Sequence, residues 1–163
     1  MIKIFWGFII LVILGISNSP SIKKDCLPDI IEVENKKQPK GKDKKQALIE
    51  ALIYVESRGK EKCIGDLHLI VPSVGVLQIR PIMVREVNRI LAILGENKRY
   101  KNKDRYSRQK SIEMFIIWRD FHHKNDSDEI IARCWNGGPN GYKRKSTLRY
   151  WKKVKKKLNE KIN

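Results

Sequence analysis

The stretch ALIEALIYVESRG, residues 47–59, decides the fold, because an apolar helical face runs through it and ends at a carboxylate. Four apolar side chains recur at the i, i+3, i+4 and i+7 positions of one α-helical face, namely Leu48, Ala51, Leu52 and Val55. Gly59 can end this helix. Glu56 follows Leu52 by four positions, so we expect it on the buried face of the predicted helix.

Glu56 is the first candidate for a chemical role. Carboxylates are seldom placed on a core-facing helical face without a purpose. Burial there raises the pKa of a carboxyl group, so that it can hold a proton near neutral pH and donate it to a leaving oxygen. The alternative is a structural glutamate that caps the helix end or pairs with Arg58 or Arg80. The periodicity alone leaves both interpretations open.

The rest of the folded part is predicted to be mainly helical, with one small β element. Further helices are indicated from Pro81 to Gly95, from Ser107 to His122, from Asp126-Ser127 to Gly137-Gly138, and from Thr147 onward, the last burying Leu148, Trp151 and Leu158. The segment from Ile64 to Ile79 is rich in β-branched residues and is interrupted by glycine and proline, which predicts a small hairpin or ordered loop. The predicted fold class is therefore mainly α with a minor β element.

The N-terminus resembles an export signal. Lys3 is followed by an unbroken apolar run from Ile4 to Ile16, which as a helix spans roughly 20 Å and is shorter than the ~30 Å hydrocarbon core of a membrane. We therefore expect a signal peptide in residues 1–17, or an uncleaved anchor formed by residues 4–16. A basic polar linker in residues 18–44 and a folded domain in residues 45–163 would follow. The expected location is the periplasm or cell envelope.

The charge and the cysteines limit the partners. The net charge of +17 favours polyanions, but it does not distinguish nucleic acid, anionic lipid and acidic wall polymer. Three cysteines without metal-ligand spacing predict neither a metal site nor a cofactor. Within the folded part, Cys63 and Cys134 could form a disulfide or could be two small buried side chains.

Three later segments carry the amides and aromatic rings that a sugar site needs, for hydrogen bonds and for stacking. Their key residues are Gln78 in SVGVLQI (73–79), Trp135 and Asn136 in WNGGP (135–139), and Tyr150 and Trp151 in TLRYWKKV (147–154). Taken singly, each has a structural alternative: Gln78 could cap the helix at Pro81, Asn136 could belong to a helix C-cap, and Tyr150 could be a core residue.

Taken in order, these segments resemble one family. Glu56-Ser57, GVLQIRP (75–81), CWNGGP (134–139) and YWKKV (150–154) are similar to the E-S, G-L-M-Q, Y-N-A-G-P-G and Y-V-x-x-V series of the SLT-type lytic transglycosylase domain of the lysozyme-like superfamily. The resemblance covers about residues 46 to 158. It departs from the family at Trp135, which replaces a tyrosine and so keeps a stacking face but lacks a hydroxyl group.

The resemblance implies a lysozyme-like fold with a glycan-binding cleft between a small hairpin lobe and the helical body. The family's glutamate protonates the bond between N-acetylmuramic acid and N-acetylglucosamine in peptidoglycan. It then acts as a base while the sugar's 6-hydroxyl closes a 1,6-anhydro ring. The implied roles are acid and base for Glu56, substrate binding for Gln78, Trp135 and Asn136, lining of the site for Tyr150, and orientation of the glutamate for Ser57.

Two alternatives remain. Asp66 could supply a second carboxylate, which would make the chain a hydrolytic muramidase, although after Gly65 it could also be a turn residue. The chain could instead be a non-catalytic cationic protein that binds cell wall or membrane. Residues 143–161 hold ten Lys or Arg and one acid, so this basic C-terminal helix could dock onto anionic wall polymers or a membrane surface, or could simply be solvated. No nucleic-acid-binding motif is recognisable.

Overall fold

Five α-helices and a two-stranded hairpin make up the described part of the chain. The structure, a computed structural model, describes the backbone of residues 40–160 and the side chains of residues 44–160. In chain order the elements are α1 (Lys40–Ser57), β1 (Ile64–Gly65), β2 (Ser73–Val74), α2 (Pro81–Ile93), α3 (Arg108–His122), α4 (Asp128–Gly137) and α5 (Thr147–Glu160), with short 3₁₀ turns at Asn102–Tyr106 and Gly141–Lys143. The predicted mainly helical class with a minor β element is confirmed.

Helices α2, α3 and α4 begin where the sequence predicts. Pro81 occupies the first turn of α2, where its missing N–H costs no helical hydrogen bond. The Ser107 hydroxyl accepts a hydrogen bond from the backbone N–H of Lys110 at the start of α3. The Ser127 hydroxyl accepts one from Ile130 at the start of α4. Caps of this kind contribute about 1 kcal/mol each, so these serines fix the helix ends.

The core forms between all five helices of the described residues, α4 included, and the loop after β2. The predicted face of α1 is buried, with Leu48, Ala51 and Leu52 no more than 1% exposed. From α3, Met114 and Phe115 are completely buried and belong to the same apolar cluster. This cluster holds the C-terminal turn of α1, which carries Glu56, at a fixed place in the fold.

The predicted burial of α5 is wrong at one position. Leu148 is 39% exposed, whereas Val154 is completely buried and Trp151 and Leu158 pack against the core in part. Leu148 precedes Val154 by six positions, which places it about 120° away around the helix. Val154 therefore sets the buried face of α5, and Leu148 lies outside that face.

The hairpin is short and is fastened by a buried arginine. Its strands pair antiparallel, Ile64 with Val74 and Gly65 with Ser73. The Arg105 guanidinium donates hydrogen bonds to the carbonyl oxygens of Pro72 at 3.2 Å and Ile79 at 3.0 Å. Both residues of β2 are also buried, so packing and these side-chain bonds to the backbone together hold the short hairpin in place.

The N-terminal predictions fall mostly outside the described residues. The predicted signal or anchor (1–17) and the linker up to residue 39 lie there, as does Cys26, while α1 begins at Lys40, within the range assigned to the linker. Of the helices in residues 40–160, none combines the length and apolar character needed to span a membrane. Cys63 and Cys134 are free thiols, so the structure contains no disulfide between them.

Gly75 provides a test of the hairpin. Its φ is +80°, and a Cβ atom there would lie 1.9 Å from the carbonyl oxygen of Arg105. We expect Gly75→Ala to lower the free energy of unfolding by about 2 kcal/mol or more, as measured by urea denaturation, because backbone strain and a steric clash add. Gly59→Ala is the matched control, since Gly59 has φ +81° and open space around its Cα. Equal losses in the two variants would contradict the close packing of Gly75 on Arg105.

Candidate functional site

Glu56 and Tyr150 form the centre of the candidate site. Glu56 lies in the last turn of α1, and its Oε1 accepts a hydrogen bond from the Tyr150 hydroxyl at 2.7 Å. Tyr150 lies in the first turn of α5, 94 residues along the chain, so the packing of α5 on α1 brings the pair together. The structure therefore places Tyr150 against Glu56.

Burial controls the protonation of Glu56. The pKa of the carboxyl group is raised from 4.5 to about 7. Loss of solvent on burial is the largest cause, the hydrogen bond from Tyr150 lowers the pKa, and the negative charge of Asp66 raises it. The residue as a whole remains partly accessible, although protein atoms surround its carboxyl group. Near neutral pH, both the protonated and the ionised forms are populated, which is the property of a group that can act first as an acid and then as a base.

Tyr150 keeps its proton. Burial raises the pKa of its phenol well above the usual 10, and the neighbouring Glu56 charge raises it further. The hydroxyl group is therefore a hydrogen-bond donor whichever form Glu56 adopts, and it fixes the orientation of the carboxyl group through both states.

Asp66 lies near Glu56 in a different environment. Its negative charge acts on the Glu56 carboxyl group, but its own side chain is exposed. It has φ +51°, and its carbonyl oxygen accepts a hydrogen bond from the N–H of Leu69, as in a tight turn that follows β1. Asp66 is therefore an exposed turn residue whose charge nevertheless acts on the buried Glu56 carboxyl group.

The Ser57 side chain contacts the backbone on two sides. Its hydroxyl lies within hydrogen-bond distance of the carbonyl oxygens of Val76, at 2.9 Å, and Ile53, at 3.2 Å, and the side chain is buried. These contacts connect the end of α1 to the loop after β2. Within the described residues the hydroxyl group makes no hydrogen bond with the Glu56 carboxyl group, so it can position Glu56 only through the backbone.

The Gln78 amide group also forms hydrogen bonds within the fold. Its Nε2 donates to the carbonyl oxygens of Gly75 at 2.9 Å and Cys63 at 3.3 Å, and its Oε1 accepts from the Ser73 hydroxyl at 2.9 Å. Because an amide has only two N–H donors, none is left for a sugar. The amide group therefore braces the hairpin, and the substrate-binding role of Gln78 stays a prediction that rests on Oε1, which can accept one further hydrogen bond.

Trp135 and Asn136 lie at the C-terminal end of α4. The Trp135 ring packs edge-on against Phe115, with centroids 5.0 Å apart, and against Trp118, at 5.1 Å. Asn136 is exposed, and its amide group makes no hydrogen bond within residues 40–160. One predicted residue is thus a partly buried aromatic side chain, and the other offers a free amide group.

Both residues line a cavity of about 750 Å³. The wall comes from α2, from the end of α3, and from α4 with the loop that follows it; its polar and aromatic members include Arg80, Glu86, Trp118, His122, Trp135, Asn136 and Arg144. Glu56, Asp66 and Tyr150 are not part of this wall. The predicted site residues therefore fall into two groups, one around Glu56 and one at the cavity.

No pattern in the sequence predicted the charged side chains of this cavity wall. Glu86 is held by Arg89 and by His122, whose Nε2 lies 2.7 Å from a Glu86 oxygen. These contacts lower the pKa of Glu86 to about 2. Arg80 precedes the motif residue Pro81, so its position in the sequence could have indicated a role in a site. Arg144 lies within a run of basic residues, and no sequence feature distinguishes it from its neighbours. Among the described residues, no three His, Cys, Asp or Glu side chains come close enough together to hold a metal ion.

The raised pKa of Glu56 has a consequence for stability. Because it rises from 4.5 in the unfolded chain to about 7, ionising this group costs about 3 kcal/mol more in the folded chain. The associated stability is fully present below pH 4.5 and is lost as the pH rises through 7. We therefore expect Glu56→Gln to become more stable relative to the native chain by about 3 kcal/mol between pH 4 and pH 8.5, measured by urea denaturation.

Glu61→Gln controls for the loss of one negative charge, since Glu61 is exposed. A stability difference between Glu56→Gln and the native chain that stays constant over this pH range would contradict the burial of the Glu56 carboxyl group.

Comparison with known proteins adds no assignment. No protein-family model matches the chain, and no curated protein sequence matches it significantly. We therefore infer the function from the chemistry of Glu56 and its neighbours, together with the order of the motifs.

Proposed function

We propose that this chain is a peptidoglycan lytic transglycosylase that cleaves the β-1,4 bond between N-acetylmuramic acid and N-acetylglucosamine. The observation that carries the proposal is the Glu56 carboxyl group, buried against Tyr150 and with a pKa of about 7. A single group of this kind can donate a proton and take one back at neutral pH.

The two oxygens of the Glu56 carboxyl group have different roles in the proposed reaction. Tyr150 donates to Oε1, so the acidic proton resides on Oε2, which makes no hydrogen bond within the described residues. Oε2 donates this proton to the glycosidic oxygen as its bond to C1 of the muramic acid breaks. The ionised carboxylate then accepts the proton of that sugar's own 6-hydroxyl group, whose oxygen bonds to C1 and closes the 1,6-anhydro ring. Glu56 therefore ends protonated, as it began, and no proton is needed from solvent.

The proposal also includes a lysozyme-like cleft that binds the glycan. Its support is the position of the hairpin, which is tied through Ser57 to the turn of α1 that carries Glu56. In such a cleft, the hairpin lobe and the helical body would hold the glycan on either side of the carboxyl group. Asn136, with its free amide group, remains the proposed contact for the glycan, and Trp135 adds an aromatic face.

A hydrolytic muramidase is the second candidate, because the charge of Asp66 acts on Glu56. An exposed carboxylate could activate water or attack the sugar, which would leave reducing ends. Asp66 lies on a solvated turn, whereas the proton-exchanging properties are concentrated in Glu56. This contrast favours the mechanism with one carboxyl group.

The basic face of α5 supports a polyanionic target. Arg149, Lys152, Lys153 and Lys156 are exposed, lie within about 100° of the helix circumference, and pair with no carboxylate among residues 44–160. Such a face increases the rate of encounter with an acidic wall at low salt. It equally suits a non-catalytic protein that binds wall polymers or a membrane surface, and the role of Glu56 separates these possibilities. Export to the cell envelope belongs to the same proposal.

The first test is lysis of purified peptidoglycan sacculi. We expect Glu56→Gln to lower the rate of lysis by at least ~100-fold, because the acid and base are lost, while binding to sacculi persists. Mass spectrometry of the products from the native chain should find 1,6-anhydro ends. Reducing ends alone would favour the hydrolytic mechanism, and undiminished lysis by Glu56→Gln would exclude Glu56 as the acid.

The second test is the pH dependence of lysis. The first step needs protonated Glu56, so the rate should fall as the pH rises through about 7. The Tyr150 hydrogen bond lowers the Glu56 pKa, so Tyr150→Phe should move this fall to higher pH while it slows the reaction. Tyr142→Phe, at an exposed tyrosine on the turn before α5, is the matched control. A fall at the same pH in Tyr150→Phe and in the control would contradict the assigned contact.

A further inference from the structure

The cavity of about 750 Å³ has a wall suited to an acidic ligand. Arg80 and Arg144 both line it, both are exposed, and neither takes part in an ion pair within the described residues. The Arg80 side chain does not cap α2, although Arg80 is the N-cap residue. Two guanidinium groups that the fold itself does not use therefore face the same space.

The one carboxylate in the wall does not cancel this charge. Glu86 receives two hydrogen bonds from the Arg89 guanidinium, at 2.7 and 2.8 Å, and a third contact from His122. An anion held in this way is already neutralised, so it leaves the positive charge of Arg80 and Arg144 for a ligand.

The remainder of the wall is apolar and amide-bearing. Trp118 and Trp135 pack edge to face, and Met83 and Ile82 of α2 contribute aliphatic surface. Asn136 supplies a free amide group. A space of this size is too large for a lone ion and lies within the range of sites for small organic ligands. Apolar surface, an amide and two guanidinium groups together match a short peptide with a free carboxylate.

We propose that this cavity binds the carboxylate-bearing peptide branch of the glycan, with Arg80 and Arg144 as its carboxylate ligands. The inference rests on the proposed function, since a peptide branch is present only if peptidoglycan is the substrate. Guanidinium groups bind carboxylates through paired, charge-assisted hydrogen bonds, and the amide of Asn136 can pair with a peptide group. The cavity thereby makes the chain selective for peptide-bearing strands, apart from the chemistry at Glu56.

The test is isothermal titration calorimetry with the full chain carrying Glu56→Gln, which prevents cleavage. The probe is a disaccharide tetrapeptide from peptidoglycan, compared with the same compound after amidation of its peptide carboxylates. We expect amidation to weaken binding by about 10-fold or more, and Arg80→Gln with Arg144→Gln to weaken binding of the acidic probe by a similar factor. Lys45→Gln with Lys103→Gln, at two exposed positions outside both the cavity and α5, removes the same charge and should change the dissociation constant by less than about 2-fold.

Equal binding of the two probes would overturn the proposal, as would equal effects of the cavity variant and the Lys45→Gln, Lys103→Gln control. If the cavity variant does not fold, the comparison of the two probes still decides. Lysis assays separate the two proposals. If Glu56→Gln abolishes lysis but the acidic and amidated probes bind equally well, the cavity assignment fails and the proposed function stands. If Glu56→Gln lyses sacculi normally while the cavity distinguishes the probes, the proposed function fails and the cavity assignment stands.

Discussion

The hydrogen bond from Tyr150 to Glu56 joins the first and last helices of the described fold, and the candidate chemistry depends on it. It forms between residues 94 positions apart, so it exists only when α5 packs on α1. That packing also buries Val154 of α5 and Leu52 of α1 in one apolar cluster. The same burial that stabilises the helices removes solvent from the carboxyl group, and stability and acidity therefore have a common cause.

Burying a carboxyl group costs free energy because the group loses its solvent, and the surrounding contacts must offset this cost. Three side chains near Glu56 serve this purpose by fixing backbone rather than by binding a ligand. Ser57 connects α1 to the loop after β2, Gln78 braces the hairpin from within, and Arg105 holds it from the side of α3. Each donates hydrogen bonds to main-chain oxygens. The motif serine and glutamine therefore act as supports that hold the turn of α1 and the hairpin in place next to the buried carboxyl group.

The helical framework could be predicted because its signals are local. Periodicity located the buried face of α1, and Pro81, Ser107 and Ser127 located three helix starts. The same periodicity placed Glu56 at the edge of the core. The roles of Ser57 and Gln78 could not be predicted, since their hydrogen-bond partners lie on loops whose paths depend on tertiary packing. For the same reason, Arg144 could not be distinguished from the other basic residues near it, although it lines the cavity.

The central claim is that residue 56 holds a proton near neutral pH because the fold removes solvent from its carboxyl group. The most direct measurement is an NMR titration that follows the side-chain carboxyl carbon of Glu56 in the folded protein, assigned by comparison with Glu56→Gln. A midpoint near pH 7 is the predicted result. A midpoint near 4.5, the ordinary value for a glutamate in water, would contradict the account.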